Sequence, residues 1–449
     1  MKDIHLAVTE AMQLGGELFR QWKFADAANV FEKVVAQEPN NFHAIHALAV
    51  CLTEQNKPAD ALPLFERAGK IIRDEIVTVT SNRARALADL GKSQEALQSL
   101  DMLLRTAPNH MVSRYNRGLV LLQMGRHHEA IDEMDRVLAV EPDNDKARFG
   151  RGFANLVLGN YEEGFRDYEC RLKDDIDEPD VPLWTGQESL VGKTIMVHGE
   201  QGLGDNIMFA RYIPMLCDRG AKVLVWTPES VRPLLSYLPG VTLLGDDRSR
   251  WPKFDFWIRF MSLALAFGTA VETVPPPLPI LPRRTSYFSR PGPHIGLCWA
   301  GSRESRYDSH RSVPLELLEP FIRDIENSGG RCYSLMKDLR DGDKERMASL
   351  PITDLGPDLK TFEDTARFMC GLDLVVTVDT SVAHLAGTCG VPTLVMLTAF
   401  RTYWLWIEKQ THSPWYPSVM LFRQATDWDW GSVINPIRAC FRTSGPPYK

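Results

Sequence analysis

The first third of the chain carries a hydrophobic pattern of helical period that repeats itself. Each copy opens on a small residue, places an apolar one three positions later, and then sets Ala and an aromatic or apolar residue four apart. Gly15, Leu18, Ala27 and Phe31 form the first copy, and Ala49, Leu52, Ala61 and Phe65 the second. Ala84, Leu87, Ala96 and Leu100 follow, then Gly118, Leu121, Ala130 and Met134. A weaker fifth copy uses Gly152, Gly164 and Tyr168. Pro39, Pro108 and Pro142 each end a helical pattern and are separated by 69 and 34 residues. The pattern predicts successive helix pairs over about residues 8–172.

From Lys193 the period changes. Short apolar runs at 193–198, 222–226, 241–244 and 254–258 alternate with helical stretches and predict strands of an α/β sheet. A second set of runs lies at 294–299, 331–335, 374–378 and 393–397. The stretch 373–397 is the most informative. An apolar strand runs into Asp379, Thr380 and Ser381 open a helix, Gly390 ends it, and Val391-Pro392 leads into the next strand. Strand, sharp turn and helix present a helix N-terminus at the carboxyl edge of a parallel sheet, a ready anion site. Residues 174–192 are acidic with two prolines and mark a boundary, and the proline-rich stretch 274–293 reads as a stiff connector. Gly192-Lys193-Thr194 resembles a phosphate loop but precedes a strand where such a loop must follow one, so it reads as a turn.

The repeat resembles the tetratricopeptide repeat, whose unit of roughly 34 residues puts small residues where paired helices cross closely. The expected organisation is a solenoid over 1–175, a linker over 176–192, one α/β lobe over 193–275, a connector over 276–293, and a second lobe with a C-terminal helix over 294–449. Two such lobes leave a cleft between their carboxyl edges.

The 449 residues are 44% hydrophobic and 24% charged, which suits several soluble globular domains. A formal charge of -7 argues against a nucleic-acid partner. The eight cysteines are scattered, without a CxxC pair, and read as free thiols in a reducing compartment. The first residues lack the apolar core of a secretory signal and no run is long enough for a membrane span, so a cytoplasmic protein is expected. A homo-oligomer is compatible with the sequence.

Candidate chemistry concentrates on both sides of the cleft. The loop 198–206 holds Gly199, Gly202 and Gly204 ahead of Asp205, in an order unlike the dinucleotide fingerprint. Asp205 has two readings: a cap for a helix beginning at Asn206, or a cleft carboxylate that takes a proton from an acceptor hydroxyl. Arg303, Arg306, Arg311 and Lys337 follow second-lobe strands, where a cationic pocket is expected, with Arg311 and Lys337 favoured by position. His384 reads as reaching a phosphate or as a buried histidine in the interlobe packing. Asp379 is expected to cap the amides of Ser381 and Val382 or to hold a ribose hydroxyl, because a carboxylate repels phosphate. No paired carboxylates follow a strand, so no metal is expected. His43 and His46 lack further ligands, and His127-His128 reads as a solvated turn. The aromatic cluster of Tyr403, Trp404, Trp406, Trp415, Tyr416, Trp428 and Trp430 has two readings, stacking on a sugar or base and packing of a C-terminal helix against the lobes, the second favoured.

The segments GLGDNIMFARYIP and VDTSVAHLAGTCGVPTLVML resemble the heptosyltransferase-like branch of the GT-B glycosyltransferases (glycosyltransferase family 9). Their pairing with tetratricopeptide repeats is similar to the architecture of O-linked N-acetylglucosamine transferase. The resemblance implies an inverting, metal-independent transfer of a hexosyl- or heptosyl-type sugar from a nucleotide-diphosphate donor, which is a substrate, with no cofactor. It implies Asp205 as the acceptor base and Gly202, Gly204, Gly301, Ser302, Arg311, Asp379, Thr380, Ser381 and His384 as donor-binding residues, to which position adds Lys337. The short first lobe makes the repeat groove the expected surface for a protein or glycan acceptor. The alternative is a non-catalytic repeat scaffold whose lobes bind only nucleotide or a partner.

Overall fold

The computed structural model describes residues 8–71, 74–172, 179–200, 202–278, 288, 291–303, 308–399 and 402–444. Parts of the expected linker and connector, and Arg306, lie outside them. The chain divides into two compact units, Met1–Ala154 and Asn155–Lys449.

The first unit is a stack of helices: α1 (Val8–Arg20), α2 (Phe24–Gln37), α3 (Phe42–Glu54), α4 (Pro58–Ile71), α5 (Ile76–Asp89), α6 (Ser93–Thr106), α7 (Met111–Gln123) and α8 (His127–Val140). The next helix, α9 (Asp145–Leu158), runs through the division between the units. The sequence grammar has a steric cause. A Cβ on Gly118 would lie 2.7 Å from the Met134 methyl, and Ala49 and Ala84 at the equivalent positions are fully buried. Pro39, Pro108 and Pro142 each sit two residues past a helix end, and the caps Asn41 and Asn144 then accept from Ala44 N and Ala147 N, both at 3.0 Å. One expectation fails: His127 is the first residue of α8 and is buried, because its helix starts directly at the turn.

The second unit opens with the end of α9 and α10 (Tyr161–Tyr168), followed by two sheets. The first contains β1 (Thr194–His198), β2 (Lys222–Trp226), β3 (Val241–Leu243) and β4 (Phe256–Arg259), all parallel, in the order β3-β2-β1-β4. The second contains β5 (His294–Cys298), β6 (Arg331–Ser334), β7 (Ile352–Asp354), β8 (Leu374–Val378), β9 (Thr393–Leu397), β10 (His412–Ser413) and β11 (Tyr416–Arg423). Its order is β10-β11-β9-β8-β5-β6-β7, parallel except for β10 against β11. Strands β5, β8 and β9 are buried throughout, as continuous apolar runs require in a sheet covered on both faces.

Of the aromatic cluster, Trp430 opens the C-terminal helix and is buried with it, whereas Trp404 and Trp415 pack elsewhere. Helix Gly431–Ser444 docks on helix Leu315–Asn327 of the second lobe, through Phe441 on Phe321 and through Arg438 and Arg442 on Asp324. Trp404 and Trp415 are fully buried against Tyr161, Phe165 and Phe209, with the Trp415 indole N–H donating to Tyr161 Oη at 2.7 Å. Those rings make one core out of α10 and both lobes.

Candidate functional site

Strand order creates two crevices. In the first sheet the chain moves from β1 to β2 and β3, then returns to place β4 on the other side of β1. In the second, β6 and β7 lie on one side of β5, and β8, β9 and β11 on the other. Loops leaving the carboxyl ends of the strands beside such a reversal diverge and leave room for a ligand. The reversals bring forward the loops after β1 and β4 in one lobe and after β5 and β8 in the other. All of the expected site residues except Lys337 and His384 lie in or beside these loops.

The loop after β1 is closed by its own asparagine. Asn206 is fully buried and donates to Glu200 O at 3.0 Å and Gly202 O at 2.7 Å. Glu200 is gripped from the end of α10 by Arg171, with N–O distances of 2.8 and 3.0 Å, and also accepts from Met261 N at 2.9 Å. This forked pair therefore ties together the two loops that flank the first reversal. Burial alone would lower the Arg171 guanidinium, but Glu200 and Glu169 raise it and hold it charged.

Helix Leu203–Phe209 begins three residues before Asn206, with Gly202 at its cap and no side-chain cap bond. Asp205 therefore does not cap it. Its carboxylate folds back over Gly202, where an added Cβ would lie 2.2 Å from Oδ2, and Oδ1 accepts from the Tyr403 hydroxyl at 2.8 Å. Burial pushes the Asp205 carboxyl up to about 7; the Tyr403 bond opposes this, Glu200 and Asp379 add to it, and Arg171 counters it. A carboxylate that titrates near neutrality can both take and return a proton.

Across the second reversal, the Arg311 guanidinium covers Gly301, where a Cβ would lie 2.3 Å from Nη2. Its Nη1 donates to Asp379 O at 3.0 Å, which joins the loop after β5 to the loop after β8. Arg340 supports the same loop by donating to Gly301 O at 2.7 Å and pairing with Asp308. Helix Ser381–Thr388 starts beside this cation with Thr380 at its cap, again without a side-chain cap bond. Asp379 does not cap that helix. Its Oδ2 accepts from Tyr403 N at 3.4 Å, and burial raises its carboxyl above the usual range against the lowering influence of Trp406 and Arg311. Ser302 is exposed at the rim of this loop.

The lobes meet where these two helices cross. A Cβ on Gly204 would lie 2.5 Å from His384 Cδ2, so the crossing closes only with glycine there. His384 is buried, with Nδ1 3.1 Å from Tyr416 Oη, and burial followed by Arg211 pushes its pKa down to about 3. It packs between the lobes against Gly204. Lys337 is exposed after β6, and Arg303 pairs with the exposed Asp341 at 3.0 Å. Sequence reasoning missed Arg171 and Arg340 and placed Tyr403 only within the aromatic cluster. The only local signal was the density of arginine and aromatic residues around them.

Tetratricopeptide-repeat family models match residues 18–78 and 83–149. The N-terminal solenoid is a tetratricopeptide-repeat array. The chain is also 25% identical to Protein FlbA of Caulobacter vibrioides over 477 aligned positions, covering 96% of this chain and 78% of that one. A thermophilic tetratricopeptide-repeat protein of Thermus thermophilus overlays at 20% identity and a TM-score of 0.35, over 38% of this chain and 93% of its own. The type IV pilus biogenesis factor PilW overlays at 17% identity and a TM-score of 0.32, over 49% and 88%.

Proposed function

We propose that the second unit is a two-lobed GT-B glycosyltransferase that moves a sugar from a nucleotide-diphosphate donor to a hydroxyl on a protein or glycan, which the tetratricopeptide repeats recruit. The observation that carries this reading is the double attachment of Tyr403: its hydroxyl binds Asp205 while its N–H binds Asp379, so one residue couples a near-neutral carboxylate to the cationic crevice. In the proposed step Asp205 takes the acceptor proton as the acceptor oxygen bonds to the anomeric carbon. The bond from that carbon to the donor phosphate breaks, its electron pair leaves with the diphosphate, and a single displacement inverts the centre. Arg311 and the amides opening helix Ser381–Thr388 would absorb the charge that develops on the leaving group. Repeat solenoids offer extended binding surfaces, which supports recruitment of the acceptor by the first unit.

The test is a thermal-shift screen with nucleoside diphosphates and their sugars, followed by donor turnover in wild type and Asp205→Asn. The expected result is stabilisation by one nucleotide class in both proteins and turnover in wild type alone. Nucleotide binding with equal turnover in Asp205→Asn would remove Asp205 as the base, and no response to any nucleotide would remove the donor site.

A further inference from the structure

Among the described residues, Trp428 combines a left-handed backbone, at φ +67°, with a side chain that is 55% exposed. A bulky residue seldom adopts that conformation unless its surroundings impose it. Trp22, as exposed as Trp428, and Asn56 also have positive φ, but they occupy the turn within a helix pair at which later repeats carry Gly91, Gly125 and Gly159; Ile407 and Lys409 have it in the turn after Trp406. Trp428 belongs to no such repeat. Its ring rests on His310, with centroids 4.9 Å apart. Beside it, the carboxylate of Asp427 is shut off from solvent and faces the same histidine. His310 Nδ1 stands 3.4 Å from this carboxylate. A left-handed backbone at a bulky residue costs stability, and it marks a place shaped for something other than stability.

Topology shows what this place adjoins. His310 lies in the connection after β5, next to Arg311, whereas Trp428 follows β11. Strands β8 and β9 lie between β5 and β11, so the contact of the two rings spans the carboxyl ends of both. It forms an outer wall to the crevice that holds Gly301, Arg311 and the start of helix Ser381–Thr388. The donor has two ends. Its sugar must lie toward Asp205, which is tied to Tyr403 and the glycine loop. The Trp428 ring rests on His310 rather than on either of these, so it serves the opposite end.

We propose that the exposed face of Trp428 is the stacking platform for the nucleobase of the donor, with His310 and Asp427 holding the ring at the mouth of the crevice. This rests on the donor-site reading above and adds the group that distinguishes a nucleoside diphosphate from a bare diphosphate. Base-on-indole stacking tolerates any base, so the platform contributes affinity, and selection among bases falls to other groups.

The test is calorimetric titration of wild type, Trp428→Ala and Trp428→Phe with ADP, GDP, UDP and CDP, and separately with inorganic pyrophosphate. Trp428→Ala is expected to weaken the nucleoside diphosphate that wild type binds by roughly 10-fold, in the range of base–aromatic stacking. Trp428→Phe is expected to recover most of that loss, and pyrophosphate binding is expected to stay unchanged in both variants. Equal nucleotide affinity in wild type and Trp428→Ala would overturn the platform while leaving the donor site intact. A parallel loss of nucleotide and pyrophosphate would also overturn it, as it would assign Trp428 to the shape of the crevice. Failure of wild type to bind either ligand would overturn the donor site and the platform together.

Discussion

Replacing Asp205 by Asn should stabilise the protein, and by an amount that depends on pH. The carboxyl has an ordinary value of 3.8 and is pushed up to about 7, chiefly by burial. For a carboxyl raised on folding the sign is clear: the folded state binds the proton more tightly, so the group costs nothing below the unfolded value. The cost grows as pH rises toward about 7 and is constant above it. A gap of about three units, at roughly 1.36 kcal/mol each, gives an upper bound of about 4 kcal/mol. The residue retains a minor solvent-accessible surface, and screening there reduces this to about 1–2 kcal/mol. Asn keeps an oxygen that can accept from the Tyr403 hydroxyl, so the local contact survives the exchange. Thermal unfolding of both proteins at pH 8.5 and pH 5.5 tests this. The variant is expected to melt a few degrees higher at pH 8.5, with the advantage falling to about half at pH 5.5. A difference independent of pH, or a destabilisation that grows with pH, would show that burial does not raise this carboxyl.

Tyr403→Phe removes the hydrogen bond that favours charged Asp205, so the acid limb of any turnover–pH profile should move up by about one unit; a uniform loss at every pH would contradict this. Arg171→Met leaves Glu200 buried without its partner and should cost about 3–5 kcal/mol, whereas the double replacement with Glu200→Gln should cost clearly less than the sum of the two, as read by urea denaturation. Gly301→Ala drives a methyl into the Arg311 guanidinium and should weaken diphosphate binding with little change in melting temperature, as calorimetry would show.

Local and non-local information divide the molecule sharply. The repeats were legible because a crossing of two helices admits only a small residue, and that demand recurs at Ala49, Ala84 and Gly118. The buried parallel strands were legible because sheets covered on both faces require unbroken apolar runs. Strand β11 was missed: it carries Pro417 second in a run of mixed polarity and lies within an aromatic-rich tail, so packing was the simpler reading. Strand β7 is three residues long and mostly exposed. At the site, the glycine loop and the turn at Asp379 were visible as local motifs. The bond from Tyr403 to Asp205 joins residues 198 positions apart and leaves no local trace. Both acidic residues were read as possible helix caps because capping is the usual local role of Asp. Each instead faces Tyr403, because both helices begin without a side-chain cap bond.

The core made by Tyr161, Phe165, Trp404 and Trp415 fixes where this chain can be cut and rejoined. By its spacing α10 is the last helix of the repeat grammar, yet its rings are core residues of the lobes, and Arg171 just beyond it holds the loop that carries Asp205. A graft that exchanged every repeat helix would therefore remove part of the lobes' interior. A seam for transplanting foreign repeats must therefore lie upstream of α10, with Tyr161 and everything after it retained as a single piece.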